Sequence, residues 1–272
     1  MQIPSNQFSK LTIAWLAVSA LLLLFPSQMR PQSAFDQAHD LVKGWSTAQQ
    51  AQQQNPSEAN FKNLREATSS VAREVPELLK TGTLELLNSS GIVSSSKIVE
   101  RISSALFEVP SAKYDPEVFV FPIGSRQGAS YFVGFNVPYC ASCSRAWIGL
   151  IGKKNGRYDV LSEEGKSFDG KSLQVSPLGR NENGNDRFLI YGTNWGDAHS
   201  RLSVVAYVVD EAKLRRIWAR IDLPQGSIKV TPTEIIVSSL TALVPPWREK
   251  TEVYRILPEQ IKLEQSIERP NP

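Results

Sequence analysis

Cysteine and histidine are scarce in this sequence of 272 residues, with two of each: Cys140, Cys143, His39 and His199. A four-ligand zinc site would need them all, and His39 lies far upstream in a helical stretch, so the sequence calls for no metal. Excess charge of one sign is lacking too. Lys and Arg number 30 against 27 Asp and Glu. Without Lys10 and Arg30 of the N-terminal segment, 28 basic residues would face 27 acidic ones, a balance of about +1. A body so close to neutrality carries no electrostatic footprint for nucleic acid. Complete catalytic signatures are missing as well: there is no G-x-S-x-G elbow and no H-E-x-x-H helix. What remains is an ordinary globular composition, 41% hydrophobic and 21% charged, in a chain long enough for one large domain or two small ones.

The N-terminal segment is the strongest local signal. Leu11 to Phe25 (LTIAWLAVSALLLLF) is an uncharged apolar run of 15 residues, stopped by Pro26 and Arg30. That is short for a bilayer span and long for the core of a secretory signal. No cysteine follows it, which excludes a lipoprotein anchor. Ser33-Ala34 is the best small pair for cleavage, without a clean A-x-A. Residues 1–33 read as a signal peptide or a membrane anchor, and the chain as exported to the periplasm, cell envelope or extracellular space.

Residues 34–109 read as a helical region of three or four short helices. Phe35, Ala38, Leu41, Val42 and Trp45 recur at helical steps, and Asn55-Pro56-Ser57-Glu58 has the grammar of a helix start. Pro76 is expected to open a third stretch, and Ser94–Ser96 a fourth with Ile98, Ile102 and Leu106 one turn apart.

At Pro110 the pattern changes, and residues 110–272 read as an antiparallel β-rich domain. Twelve short runs rich in Val, Ile, Tyr, Phe and Trp, from Val118–Ile123 to Gln260–Glu264, are divided by Gly, Asn and Pro. Connections between them are too short for crossover helices, so the pairing should be antiparallel. Lys154-Asn155-Gly156 fits a tight hairpin. The fold class is therefore α+β: an N-terminal helical segment, then an antiparallel β-meander built as propeller-like units, a sandwich or a barrel.

A repeat runs through this body. YFVGFNV–PYCASCS–Arg145–AWIGLI, FLIYGT–NWGDAHS–Arg201–LSVVAYVV and IIVSSL–TALVPPW–Arg248–EKTEVYRIL share one plan of strand, loop, arginine and strand. Loops 138–144, 194–200 and 241–247 each span seven residues. The arginines are spaced by 56 (201 minus 145) and 47 (248 minus 201) residues. That rhythm resembles propeller blades, although three units are fewer than a propeller's usual number. In an up-and-down meander the three loops would share one end.

Several motifs compete for attention. Gly165–Ser172 (GKSFDGKS) matches the phosphate-binding loop pattern literally. The chemistry needs a helix after the loop, so that its amides face the phosphates, and LQVSPLGRNENG offers none. No nucleotide and no other cofactor is expected. Cys140-Ala141-Ser142-Cys143 is a C-x-x-C in a β-loop rather than at a helix N-terminus, which fits a small disulfide in an oxidising compartment better than redox catalysis. Asn181, Asn183, Asn185 and Asp186 around Gly184 hold too few carboxylates in the wrong frame for an EF-hand. Asp197 and His199 could form part of an acid–base pair or a metal site, but neither a G-x-S-x-G elbow nor an H-E-x-x-H helix accompanies them.

The candidate binding residues are Tyr139, Arg145, Trp195, Asp197, His199, Arg201, Trp247 and Arg248: aromatic platforms, one polar pair, and arginines that either bond loop carbonyls or offer donors to an anionic group. The reading is an exported, non-catalytic cell-envelope protein that binds a protein or small-molecule ligand through the β-body, touching the membrane only through its N-terminal segment. The alternative is an exported hydrolase with its site around Asp197 and His199.

Overall fold

A computed structural model describes residues 32–90, 93–107, 117–124, 130–140, 143–194, 200–241 and 246–270. The expectation for residues 1–33 falls outside these, save Gln32 and Ser33. Ala34–Pro272 form one compact unit. Among the described residues, three helices come first: α1 (Ala34–Gln54), α2 (Glu58–Ser90) and α3 (Ser95–Leu106). Twelve strands follow: β1 (Val118–Ile123), β2 (Ser130–Cys140), β3 (Cys143–Lys154), β4 (Arg157–Glu164), β5 (Gln174–Arg180), β6 (Asp186–Asn194), β7 (Arg201–Asp210), β8 (Lys213–Pro224), β9 (Ser227–Val230), β10 (Glu234–Leu240), β11 (Arg248–Ile256) and β12 (Ile261–Pro270). No described helix is long and apolar enough to cross a membrane.

The expected break at Pro76 does not occur. α2 runs for 33 residues straight through it. Proline removes one backbone donor and crowds the preceding turn. Here Val71, Val75, Leu79 and Leu87 are all fully buried on one face, and that burial carries the helix across the defect. α3 is capped by Ser94, whose side chain accepts from the Lys97 amide.

The strands form three separate four-stranded antiparallel sheets, ordered β1-β2-β3-β4, β5-β6-β7-β8 and β12-β11-β10-β9. Each is a simple meander of chain neighbours, so the body is neither one closed barrel nor a two-sheet sandwich. The sheets stack face to face in chain order. Helical residues Phe35, Trp45, Leu79 and Ile102 share a core with Tyr131, Val133, Phe135 and Trp147 on one face of the first sheet. The other face of that sheet, with Phe132, Ile148 and Leu150, packs against Phe188, Ile190, Val205 and Tyr207 of the second. Phe132 and Phe188 stack there with ring centroids 4.4 Å apart. The second sheet turns Leu189, Val204 and Ala206 toward Ile235, Val237 and Tyr254 of the third. Strands buried on both faces have no polar side, which is why β2 and β7 are almost continuously apolar.

The sequence repeat is a register repeat. Val137 pairs with Arg145, Asn194 with Arg201, and the Thr241 amide donates to the Arg248 carbonyl. Counting from each arginine, Ile148, Val204 and Thr251 hold one position of the outward face, and Ala146, Leu202 and Glu249 another. The third sheet is thus polar where the first two are apolar, and the Ser238 and Thr251 hydroxyls bond to each other there at 2.9 Å. Tight turns close the far end. Asn155 (φ 53°) and Gly156 (φ 81°) join β3 to β4, with both residues in the left-handed region that a two-residue hairpin needs.

Candidate functional site

Strand direction puts three connections at one end of the stack: β2 to β3, β6 to β7 and β10 to β11. The crossovers from sheet to sheet return at that same end. The segment between β4 and β5 bridges the first two connections. Gly170 donates its amide to the Ser144 carbonyl at 2.8 Å, and Ser172 donates to the Thr193 carbonyl at 3.0 Å. Between β8 and β9, Gln225 donates to the Ser200 carbonyl at 2.7 Å. The strand ends flanking the first two connections are therefore held by the crossovers, and the third connection lies at the same end by strand direction.

The first connection is shorter than expected. β2 and β3 continue through 138–140 and 143–144, with Pro138 opposite Ser144 and Cys140 opposite Cys143. Pro138 is tolerated in a central strand because the ladder slips register beside it. Cys140 and Cys143 are joined in a disulfide that closes this hairpin tip. The second and third connections are longer, flanked by the Asn194–Arg201 pair and the Thr241–Arg248 bond.

The candidate residues divide into three groups. Trp195, Asp197 and His199 lie outside the described residues. Tyr139 is half-buried and packs against the core shared by helices and first sheet, whereas Trp247 is 43% exposed at the foot of the third connection. The arginines hold equivalent places in their sheets but take unlike partners, because the sheets between them keep them apart. Arg145 donates to Asp169 Oδ2 at 2.7 Å, and Arg248 lies 3.6 Å from Glu268. Arg201 is half-buried on the face toward the first sheet. The described bonds of Arg145 and Arg248 are thus to carboxylates, not to loop carbonyls, and the two do not converge on one anion.

The segment resembling a phosphate loop has another use. Gly165 (φ 143°) leads into a short 3-10 turn, Lys166–Phe168, with Phe168 fully buried, and the chain then extends into β5. No helix follows to aim amides at a phosphate. The Lys171 ammonium, 8% exposed, donates to Asp222 Oδ1 of β8 at 2.9 Å.

Beneath this surface lies a buried polar group that the sequence reading passed over. Asn136 is 6% exposed within the apolar run YFVGFNV. Its Nδ2 donates to the Lys171 carbonyl at 2.9 Å, and the Ser144 hydroxyl donates to the same oxygen at 3.1 Å. Glu117, just ahead of β1, is the cross-strand neighbour of Asn136, whose backbone amide donates to the Glu117 carbonyl at 3.0 Å. The Glu117 carboxyl accepts the Leu173 amide. Burial pushes the carboxyl up to about 7, against the opposing pull of the Leu173 amide and the Asn136 side chain. A lone amide in an otherwise apolar strand was the available sign of this cluster.

Outside it, Arg145, Lys166 and Arg216 line a shallow cleft with Glu163, Glu164 and Asp169, so positive and negative side chains are balanced. Among the described residues no three His, Cys, Asp or Glu side chains gather as metal ligands. Comparison with protein-family models, with curated proteins and with solved structures gives no match.

Proposed function

We propose that this protein is an exported, non-catalytic cell-envelope protein that binds a protein or small-molecule partner through the loop-bearing end of its stacked sheets. The observation that carries the reading is the common end of the three repeated connections, the first two of them bridged by Gly170 and Ser172 of one crossover. Loops on a rigid scaffold are the usual carriers of recognition. Exposed Trp247 supplies an aromatic platform. Export is supported by the apolar run Leu11–Phe25, and the bonded cysteine pair fits an oxidising compartment. Nucleic acid is no part of the reading, and the membrane enters only through the N-terminal segment.

Site-specific photocrosslinking in cells tests the binding surface. A photoreactive residue in place of Tyr139 or Trp247 should give discrete adducts, while one in place of Asn155 or Glu211, in the opposite turns, should not. Adducts from the opposite turns alone would refute the assignment. Fusion of residues 1–35 to a reporter active only outside the cytoplasm tests export. A stably expressed but silent reporter would count against it.

A further inference from the structure

The two loop bases are held by one short segment, Gly170–Leu173, and that segment is itself held by Glu117. We propose that Glu117 is a proton-operated tie: protonated, it keeps the crossover seated on the first sheet, and deprotonation loosens the junction that carries the first two loops. As regulation of the binding surface this rests on the reading above. As a property of the junction it stands without it.

The geometry supplies the mechanism. Glu117 and Asn136 are cross-strand neighbours, so their side chains share a face, the one turned toward the second sheet. Across from them runs the crossover. Its Leu173 amide reaches the Glu117 carboxyl, and its Lys171 carbonyl receives both Asn136 and Ser144. The donors that face the Glu117 carboxyl are the Leu173 amide and the Asn136 side chain. Among the described residues, Asn136 Oδ1 is enclosed without a partner. A carboxylate there is a largely buried charge that water no longer solvates, and a proton on Glu117 removes that cost.

The surrounding charges do not relieve it. Lys171 belongs to the crossover, but its ammonium is turned to Asp222 of β8. Arg145 of β3 and Asp169 of the crossover bond to each other. What sets the affinity of Glu117 for its proton is burial, which raises it, while the Leu173 amide and Asn136 only moderate the effect. If the junction opens, the carboxyl reaches water, its affinity falls to the ordinary value and the proton leaves. Opening is therefore linked to proton release and becomes more frequent as pH rises toward 7. The same segment bonds to Ser144 and Thr193, so freeing it frees both loop bases.

Amide exchange of the full chain, followed by mass spectrometry from about pH 5 to about pH 8 and normalised to the turn around Glu211, reads the opening directly. Peptides holding Leu173, Ser144 and Thr193 should gain exchange beyond the intrinsic rate as pH rises. Full linkage would give about two orders of magnitude, and the partly exposed carboxyl a rise on the order of tenfold. In Glu117→Gln, which keeps an acceptor for Leu173 but cannot titrate, the rise should vanish. Carboxyl NMR of the unaltered protein gives a second reading, with Glu117 titrating near neutrality and not in the usual carboxylate range. An ordinary titration of Glu117, or an identical exchange profile in both proteins, overturns the proposal. A pH-dependent junction together with crosslinks only from the opposite turns would leave the tie intact and remove the binding surface above it.

Discussion

Gly192 and Ser172 touch through their backbones: a β-carbon on Gly192 would lie 1.6 Å from the Ser172 carbonyl oxygen. Beside this contact the Ser172 amide donates to the Thr193 carbonyl, and the Thr193 amide returns a bond to the Ser172 hydroxyl, each at 3.0 Å. The crossover can lie flat on β6 because residue 192 has no side chain. The obstacle is backbone, so it cannot rotate aside. Gly192→Ala should cost about 3 kcal/mol or more, near the upper end for overpacked sites. Gly134 is a matched control, since a β-carbon there meets only ordinary contacts, the nearest at 3.7 Å. Chemical denaturation should find Gly134→Ala close to neutral. Equal stability of the two variants would mean that the crossover is not seated as described.

Lys171 argues the same junction from its charge. Its ammonium is almost wholly enclosed, while the partner Asp222 is half-exposed. Lys171→Met keeps the buried stem and removes the cation, and water can solvate the Asp222 that remains. A loss of about 1–2 kcal/mol is expected, less than for a pair buried at both ends. Magnesium-dependent ATP binding should be absent before and after the change, by calorimetry. Binding that the substitution abolished would restore the phosphate-loop reading of Gly165–Ser172.

Why the strands were legible and the junctions were not follows from the range of each signal. Alternation, turn residues and short spacings are local, and they marked twelve strands and the hairpin at Asn155-Gly156. The shared arginine position exposed the repeat because Arg145, Arg201 and Arg248 sit at one ladder position in each sheet. Pro76 misled because helix propensity was weighed without the burial of Val75 and Leu79 that overrides it. Pro138 misled in the opposite sense, suggesting a loop where β2 continues through an irregular pairing. Glu117 and Lys171 acquire their partners from segments about fifty residues away in sequence, Leu173 and Asp222 respectively, and no local pattern reports such pairings. The environments of Tyr139 and Trp247 depend on packing for the same reason.

The disulfide makes its own prediction. Cys140 and Cys143 close a very small ring, so cross-linking removes little entropy from the unfolded chain. Replacing both by Ser should lower stability by ~2 kcal/mol or less. Thiol labelling of native protein without reductant should find neither cysteine. Quantitative labelling of both in protein recovered from outside the cytoplasm would contradict the bonded state.

Glu117 should also leave its mark on global stability, and the sign is fixed by the direction of its shift. Its folded-state affinity for the proton is raised to about 7 from an ordinary 4.5. The folded state therefore binds more protons than the unfolded one between these values, and this contribution to stability falls as pH rises through that window. Below the ordinary value both states are protonated and nothing is lost; above about 7 both are ionised and the loss is complete. The full shift would correspond to about 3 kcal/mol, and partial exposure of the carboxyl reduces this to about 1–2 kcal/mol. Other carboxylates titrate in the same range, so the unaltered protein's profile alone does not isolate Glu117. The difference between it and Glu117→Gln does. Urea unfolding at several pH values should show the variant gaining on the unaltered protein from about pH 4.5 to about pH 7 and holding a constant difference above about pH 8. A difference independent of pH would mean that Glu117 titrates as an ordinary surface carboxyl. A difference that shrank as pH rose would mean that the charged form is the one the fold prefers, with the Leu173 and Asn136 hydrogen bonds outweighing burial.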